Sequence, residues 1–320
     1  MPKYILKRFV LLIPAILGII FIMFLLMYIL PASRVGSMPI YGDGDALDSL
    51  YTTVGAGKNI FTQYIRYCYN VFLKFDMGWS SSYPQSITSE LGFRTRYCIA
   101  LLSAGVGATL LVGIPLGVYI AVHKNKKRDR IINAILLFLS AIPNYTVAIL
   151  LTLYLCVYLR VLPLNPNYTQ PIAFLLPALT LSLGGVAAVA RMTRTSMIET
   201  FSQPFITALS SKGLGESSVI YKHALKNALI PVISSLKVLI SQLLFGTLVV
   251  ENFFNVPGLG SYSLRAINAR ASFEILGCVV VLTLILSVTS LLSDIIYAAI
   301  NPRIKLRYVE KRKQRKRAGA

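Results

Sequence analysis

The stretch CIALLSAGVGATLLVGIPLGVYIAVHK, Cys98–Lys124, carries no Asp, Glu or Arg, and its one Lys is the last residue. Crossing ~30 Å of hydrocarbon at ~1.5 Å per residue takes about 20 apolar residues in a helix, and this run supplies them. Similar runs lie on both sides: Phe9–Pro31, Ile131–Leu159, Val161–Ala190 and Ile275–Ser293 hold no charged residue, and Asn227–Val250 is interrupted only by Lys237. The reading is an all-α integral membrane protein with six transmembrane helices. Composition agrees, since 55% of the 320 residues are hydrophobic and only 14% charged, against roughly a quarter charged in ordinary soluble domains.

Lys3, Lys7 and Arg8 precede the first run and Pro31-Ala32-Ser33 follows it, the outline of a signal peptide. The apolar stretch exceeds the ~7–15 residues of a cleavable segment, which favours a retained helix. A formal charge of +20 raises nucleic acid as a partner, yet in a polytopic chain such an excess reports which loops stay in the cytoplasm. If the spans alternate, 22 of the 32 basic residues fall on one side: the N-terminus, Lys124–Arg130, Arg191–Lys226 and the tail Arg303–Arg317. In Ala32–Tyr97, Asp43, Asp45, Asp48, Asp76 and Glu90 nearly balance six basic residues. Both termini are therefore expected in the cytoplasm of a multi-pass cell-membrane protein, with no nucleic acid partner. The tail YVEKRKQRKR sets topology on this reading, with contact to anionic lipid or ribosomal RNA as its alternative.

The expected organisation is an N-terminal transmembrane helix in 1–31, an extracytoplasmic loop or cap in 32–97 with a helix at Ile60–Lys74, and a core transmembrane domain in 98–300. That core contains a cytoplasmic loop at 191–226, and a basic tail occupies 301–320. Pro115, Pro143 and Pro177 interrupt spans, which is tolerated where a helix is buried among neighbours or lines a cavity. Gly105, Gly107, Gly113, Gly117, Gly184 and Gly185 permit close helix approach, with packing as their plain role. Cys68, Cys98, Cys156 and Cys278 form no close pair or metal spacing, and neither His123 nor His223 has a partner at metal spacing. Without a phosphate loop, a Gly-x-Ser-x-Gly turn or a His pair, catalysis is not expected.

The loop between the fourth and fifth spans is the most informative segment: LLPALTLSLGGVAAVARMTRTSMIETFSQPFITALSSKGLGESSVIYKHALKNALIPV. Ile206, Leu209 and a candidate third member, Phe205, give an apolar face before Gly213. Val219, Ile220, His223, Ala224 and Asn227 give another after Gly215. Glycine at 213 suits a left-handed helix cap. An ordinary loop with an interfacial amphipathic turn is the plain reading, and a helix that docks on a partner is the functional one.

Lys212-Gly213-Leu214 and His223-Ala224-Leu225-Lys226-Asn227-Ala228-Leu229-Ile230-Pro231 resemble the permeases of ABC importers of the dipeptide, oligopeptide and nickel family. Further landmarks span most of the chain: Asp76-Met77-Gly78-Trp79-Ser80, Ile114-Pro115-Leu116-Gly117, Ser140-Ala141-Ile142-Pro143, Arg191 to Met197, Glu251 with Pro257-Gly258-Leu259-Gly260, and Asn301-Pro302-Arg303. The resemblance implies a type I importer permease fold, with Phe205, Ala208, Leu209, Lys212, Gly213, Leu214 and Gly215 in an ATPase-coupling loop. It also implies a second homologous permease, two cytoplasmic ATPases that use ATP and Mg, and an extracytoplasmic solute-binding protein. The chain itself would bind no cofactor or metal and catalyse nothing. Ser210 stands where the family commonly has Arg; Pro31-Ala32-Ser33-Arg34, Arg94-Thr95-Arg96-Tyr97-Cys98, Ala271 and Phe273 are further departures.

Ser234, Lys237 and Ser241 share one helical face, with Gln242 beside them, and are candidates to line the pathway. Lys237 there is either in a structural pair with a partner helix or attracts an anionic group of the solute. Peptides are the expected cargo; nickel complexes, glutathione or another small solute are alternatives. An ATP-independent carrier or channel is the competing class. It is disfavoured because Glu251, Glu274 and Asp294 lie near span ends rather than at the membrane centre.

Overall fold

The computed structural model describes residues 2–29, 60–80, 85–164, 166–269 and 271–300. Among these the chain is helical: α1 Pro2–Ile29, α2 Ile60–Tyr69, α3 Ile87–Val122, α4 Lys127–Ala141, α5 Asn144–Leu151, α6 Leu175–Phe201, α7 Pro204–Ser211, α8 Leu225–Phe253, α9 Leu259–Asn268 and α10 Ser272–Ile300. The proposed helix at 60–74 is present as α2 extended by a π turn, Asn70–Lys74. Residues 32–59, which include Ala32-Ser33-Arg34, residues 81–84 and the tail 301–320 lie outside the described residues.

Among the described residues four helices are long and apolar enough to cross a membrane: α3, Pro171–Phe201, Glu216–Phe253 and Phe273–Tyr297 within α10. Here the structure refines the sequence pattern twice. The run Ile131–Leu159 is two helices, Lys127–Ala141 and Asn144–Tyr158, bent by 103°. The break falls at Ile142-Pro143, where Ile142 is extended (φ −77°, ψ 127°), the region that the ring of a following proline favours over the helical one. The run from Val161 becomes helical only at Pro171, which opens a 3-10 turn into α6. In α1 the apolar stretch described in side-chain detail is Ile13–Leu26.

The chain divides into two compact units. In the first, residues 101–246 with the chain ends, α6 is the central element. Its Leu181, Ala187, Val189 and Ala190 are buried, and α3 lies close along it. A Cβ added at Gly117 would come within 2.5 Å of the Ala190 carbonyl oxygen and 2.6 Å of Thr193. Beside this contact Ile120, Leu136, Ala187 and Ala190 form an apolar cluster joining α3, α4 and α6. Lipid offers helices no hydrophobic gain from associating, so close backbone packing carries more of the association.

In the second unit, residues 6–100 and 247–288, Ile16, Ile20 and Phe24 of α1 pack with Tyr67, Val71, Leu276 and Val280. The Tyr64 hydroxyl donates to the Leu17 carbonyl at 2.9 Å. Glu251, fully buried in the last turn of α8, accepts from the Gly260 N–H at 2.6 Å, at the start of α9. A carboxylate there meets the positive end of the helix dipole. Side chains at Gly258 or Gly260 would collide with that carboxylate, which gives the Pro257-Gly258-Leu259-Gly260 turn its physical reason.

Gly117→Val should therefore push α3 off α6, and the yield of monodisperse protein in detergent should fall several-fold. Gly107→Val, where an added Cβ meets nothing within 4 Å, should leave that yield unchanged. Size-exclusion chromatography of the two variants checks the contrast.

Candidate functional site

The loop after α6 turns in two residues. The Gln203 N–H donates to the Thr200 carbonyl at 3.0 Å, and Gln203 itself is extended (φ −81°, ψ 141°). Pro204 then opens α7, the position where its missing N–H costs nothing and its fixed φ suits a helix. At the other end the Lys212 N–H reaches the Ala208 carbonyl and the Gly213 N–H the Ser210 carbonyl. Gly213 adopts φ +77°, the left-handed cap foreseen from its place in the sequence.

One side of α7 is anchored. Ile206 is buried among Val118, Ala121, Met197, Val219, Ala224 and Ala228, and Leu209 packs against the same cluster. The other side is open: Phe205, Ala208 and Lys212 follow an i, i+3, i+7 spacing and are exposed, as are Leu214 and Gly215. Phe205, a candidate for the inner face, thus sits on the outer one, 40% exposed. Beyond Gly215 a short turn, Glu216–Ser218, and a π turn, Val219–Ala224, lead into α8. Val219 and Ala224 are buried and Ile220 packs beside them, as the second apolar pattern required. Asn227 is exposed and its side-chain amide donates to the His223 carbonyl.

The polar stripe of α8 lies on a different surface. Ser234, Lys237 and Gln242 are exposed and Ser241 half-buried, flanked by exposed Val238, Phe245 and Val249. The Ser234 hydroxyl donates to the Pro231 carbonyl and that of Ser241 to the Lys237 carbonyl, so both are satisfied within their own helix. The coupling-loop residues and the α8 stripe form separate sets.

Two features escaped the sequence reading. Asp129, the single acid among the five bases of Lys124–Arg130, is buried and takes Arg194 in a bidentate pair at 2.8 and 2.7 Å. An isolated acid in so basic a loop was the available signal. In the other unit, a cavity of about 320 Å³ is lined by Ser80, Glu90, Arg94, Tyr262, Arg265 and Glu274. The Arg94 guanidinium pairs with Glu90 and lies 4.6 Å over the Tyr262 ring, and Ser80 donates to Glu274 at 2.6 Å. None of the residues expected to act in coupling or transport lines this cavity.

Apolar helices of membrane-spanning length, one pair sharply bent, with a short half-anchored helix between the fourth and fifth apolar runs, define a polytopic membrane protein. Residues 113–306 match the family described as the binding-protein-dependent transport system inner membrane component, and the chain belongs to it. It is 33% identical over 310 residues to the dipeptide transport system permease protein DppB of Bacillus subtilis, covering 96% of this chain and 99% of that one. To the glutathione transport system permease protein GsiC of Pectobacterium atrosepticum it is 30% identical over 306 residues, covering 95% and 99%. Among solved structures, the MetNI methionine ABC transporter in an inward-facing conformation shares the fold, with a TM-score of 0.56 at 19% identity. That likeness covers 66% of this chain and 96% of the other. The chain is thus a membrane permease component, and ATP hydrolysis in this class belongs to partner ATPases.

An added Cβ meets no atom within 4 Å at either Gly213 or Gly215, and only Gly213 has positive φ. Gly213→Ala should therefore cost about 1–2 kcal/mol of backbone strain, speeding amide exchange across 205–213 by roughly 5–30-fold. Gly215→Ala should leave exchange there unchanged, as hydrogen–deuterium exchange on the purified permease can measure.

Proposed function

We propose that this chain is one of two permease subunits of an ATP-driven importer of short peptides, and that α7 is its docking helix for a cytoplasmic ATPase. The observation that carries the docking reading is the split face of α7. Ile206 and Leu209 hold it to the bundle while Phe205, Ala208 and Lys212 stand outward. An aromatic ring on an eight-residue helix and a cation at its C-terminal cap suit a hydrophobic groove with an acidic rim.

Topology supports the same assignment. Counting α1, α3, the bent pair α4 and α5, α6, α8 and α10 as six spans puts both termini and α7 on the side carrying most of the basic residues, which is the cytoplasmic side. The solute is read from the relatives: permeases named for dipeptide, peptide and glutathione transport match nearly the whole chain. Glutathione is itself a small peptide with free carboxylates, so a short carboxylate-bearing peptide is the common chemistry. An extracytoplasmic binding protein would deliver it, and ATP with Mg would be consumed by the two ATPases.

Lys237 is placed in this scheme by cost. It is the thirteenth residue of the 29-residue α8 and is exposed on its own chain. Facing lipid at that depth would cost ~2.5–3.5 kcal/mol on insertion scales. Its stripe therefore faces the second permease or the water-filled path between them.

Phe205→Asp should abolish copurification of the cognate ATPase while the permease remains monodisperse; retained copurification would contradict the docking role. Lys237→Met keeps length and removes charge. If Lys237 meets a solute carboxylate, uptake of a dipeptide in proteoliposomes should fall at least tenfold more than uptake of its C-terminal amide, and an equal loss for both leaves Lys237 a structural role at the permease interface.

A further inference from the structure

Asp129 is a saturated carboxylate. An ionised carboxylate offers about four lone-pair sites. Here one oxygen takes Asn133 Nδ2 at 2.6 Å and Arg194 Nε at 2.8 Å. The other takes the Asn125 N–H at 2.9 Å and Arg194 Nη2 at 2.7 Å. Asn125, at φ +65°, belongs to the turn that ends α3; Asn133 lies one turn further along α4; Arg194 belongs to α6. One buried side chain thus pins three elements together. The neighbouring Arg128 does not compete, since it is exposed and its guanidinium donates to the Tyr119 hydroxyl.

Stability alone is a poor reason for this arrangement. A buried ion pair is often no better than apolar residues of equal volume, because both charges lose their hydration. The same three elements already share the apolar cluster of Ile120, Leu136, Ala187 and Ala190. What the bidentate pair adds is register: a guanidinium fork on a carboxylate fixes both distance and orientation, whereas apolar surfaces can slide. Arg194 stands seven residues before the end of α6 at Phe201, about 10 Å along the helix. Only the two-residue corner Ser202-Gln203 separates that end from α7.

We propose that Asp129 and Arg194 form a strut that carries movement of α7 through α6 into α4, and so into the broken span α4–α5. They are positioning residues: they touch neither nucleotide nor solute, and they make α6 and α4 move as one body when the ATPases close. The inference rests on the reading of α7 as the docking helix. The 103° break at Ile142-Pro143 then gives the driven body a natural hinge at its far end.

The test uses the transporter reconstituted with its cognate ATPases and binding protein, measuring ATP hydrolysed per solute imported. Asp129→Asn keeps the volume and removes the charge that holds the fork. The expected result is normal copurification of the ATPases with at least a threefold rise in ATP consumed per solute. Arg194→Lys, which keeps the charge and loses the fork, should give a smaller rise. A purely structural pair would lower the amount of complex and leave that ratio untouched, which would overturn the proposal. If Asp129→Asn does not assemble, Arg194→Lys decides: it keeps the charge and loses the fork, and an unchanged ratio there overturns the proposal as well. Failure of the docking reading is distinguishable, because it shows in copurification with Phe205→Asp and not in this ratio.

Discussion

Hydrocarbon offers no partner to a backbone N–H or C=O, and each one left unpaired there costs several kcal/mol. That constraint governs the rest of this molecule. It makes the spans helices, and it confines irregular backbone to places where other groups satisfy it. At Ile142-Pro143, for instance, the Val147 N–H takes up the Pro143 carbonyl as the new helix begins. It also dictates how such a protein can move. Helices that cannot unravel in lipid can shift as rigid rods, and a signal entering at one end must travel along them.

In the first unit the helices are joined at several points. α7 is fastened by Ile206 and Leu209 to a cluster that includes Val118 of α3, Met197 of α6 and Ala224 before α8. Gly117 brings α3 against the α6 backbone, and Asp129 ties α6 to α4. A push on the open face of α7 therefore meets a set of helices locked together by close packing and one ion pair. The second unit holds its own connections, with Glu251 closing the turn into α9 and the α1 face packed on Tyr67 and Leu276.

Much of this was legible in the sequence. Charge-free runs of some 20 residues located the long helices, because burial in lipid leaves a compositional mark that no turn can imitate. The glycine at 213 announced its left-handed cap, and the spacing of Ile206 and Leu209 gave the anchored side of α7. Phe205 was harder: an aromatic residue beside an apolar stripe reads as part of it, and only the packed neighbours reveal that the stripe is full. Pro143 marked the place of the break at Ile142-Pro143 but not its angle, since lipid burial constrains polarity and says nothing of direction. The Asp129–Arg194 pair spans 65 residues, a separation at which one sequence carries no contact signal.

If α7 is the docking helix, ATP-driven force enters the permease at its open face. A photo-crosslinking amino acid placed at Phe205 in the intact transporter, in whole cells, interrogates that face directly. Illumination should join the permease to an ATPase subunit, with a yield that changes when a non-hydrolysable nucleotide is trapped in permeabilised cells. Crosslinks formed only with lipid or with the external binding protein would contradict it.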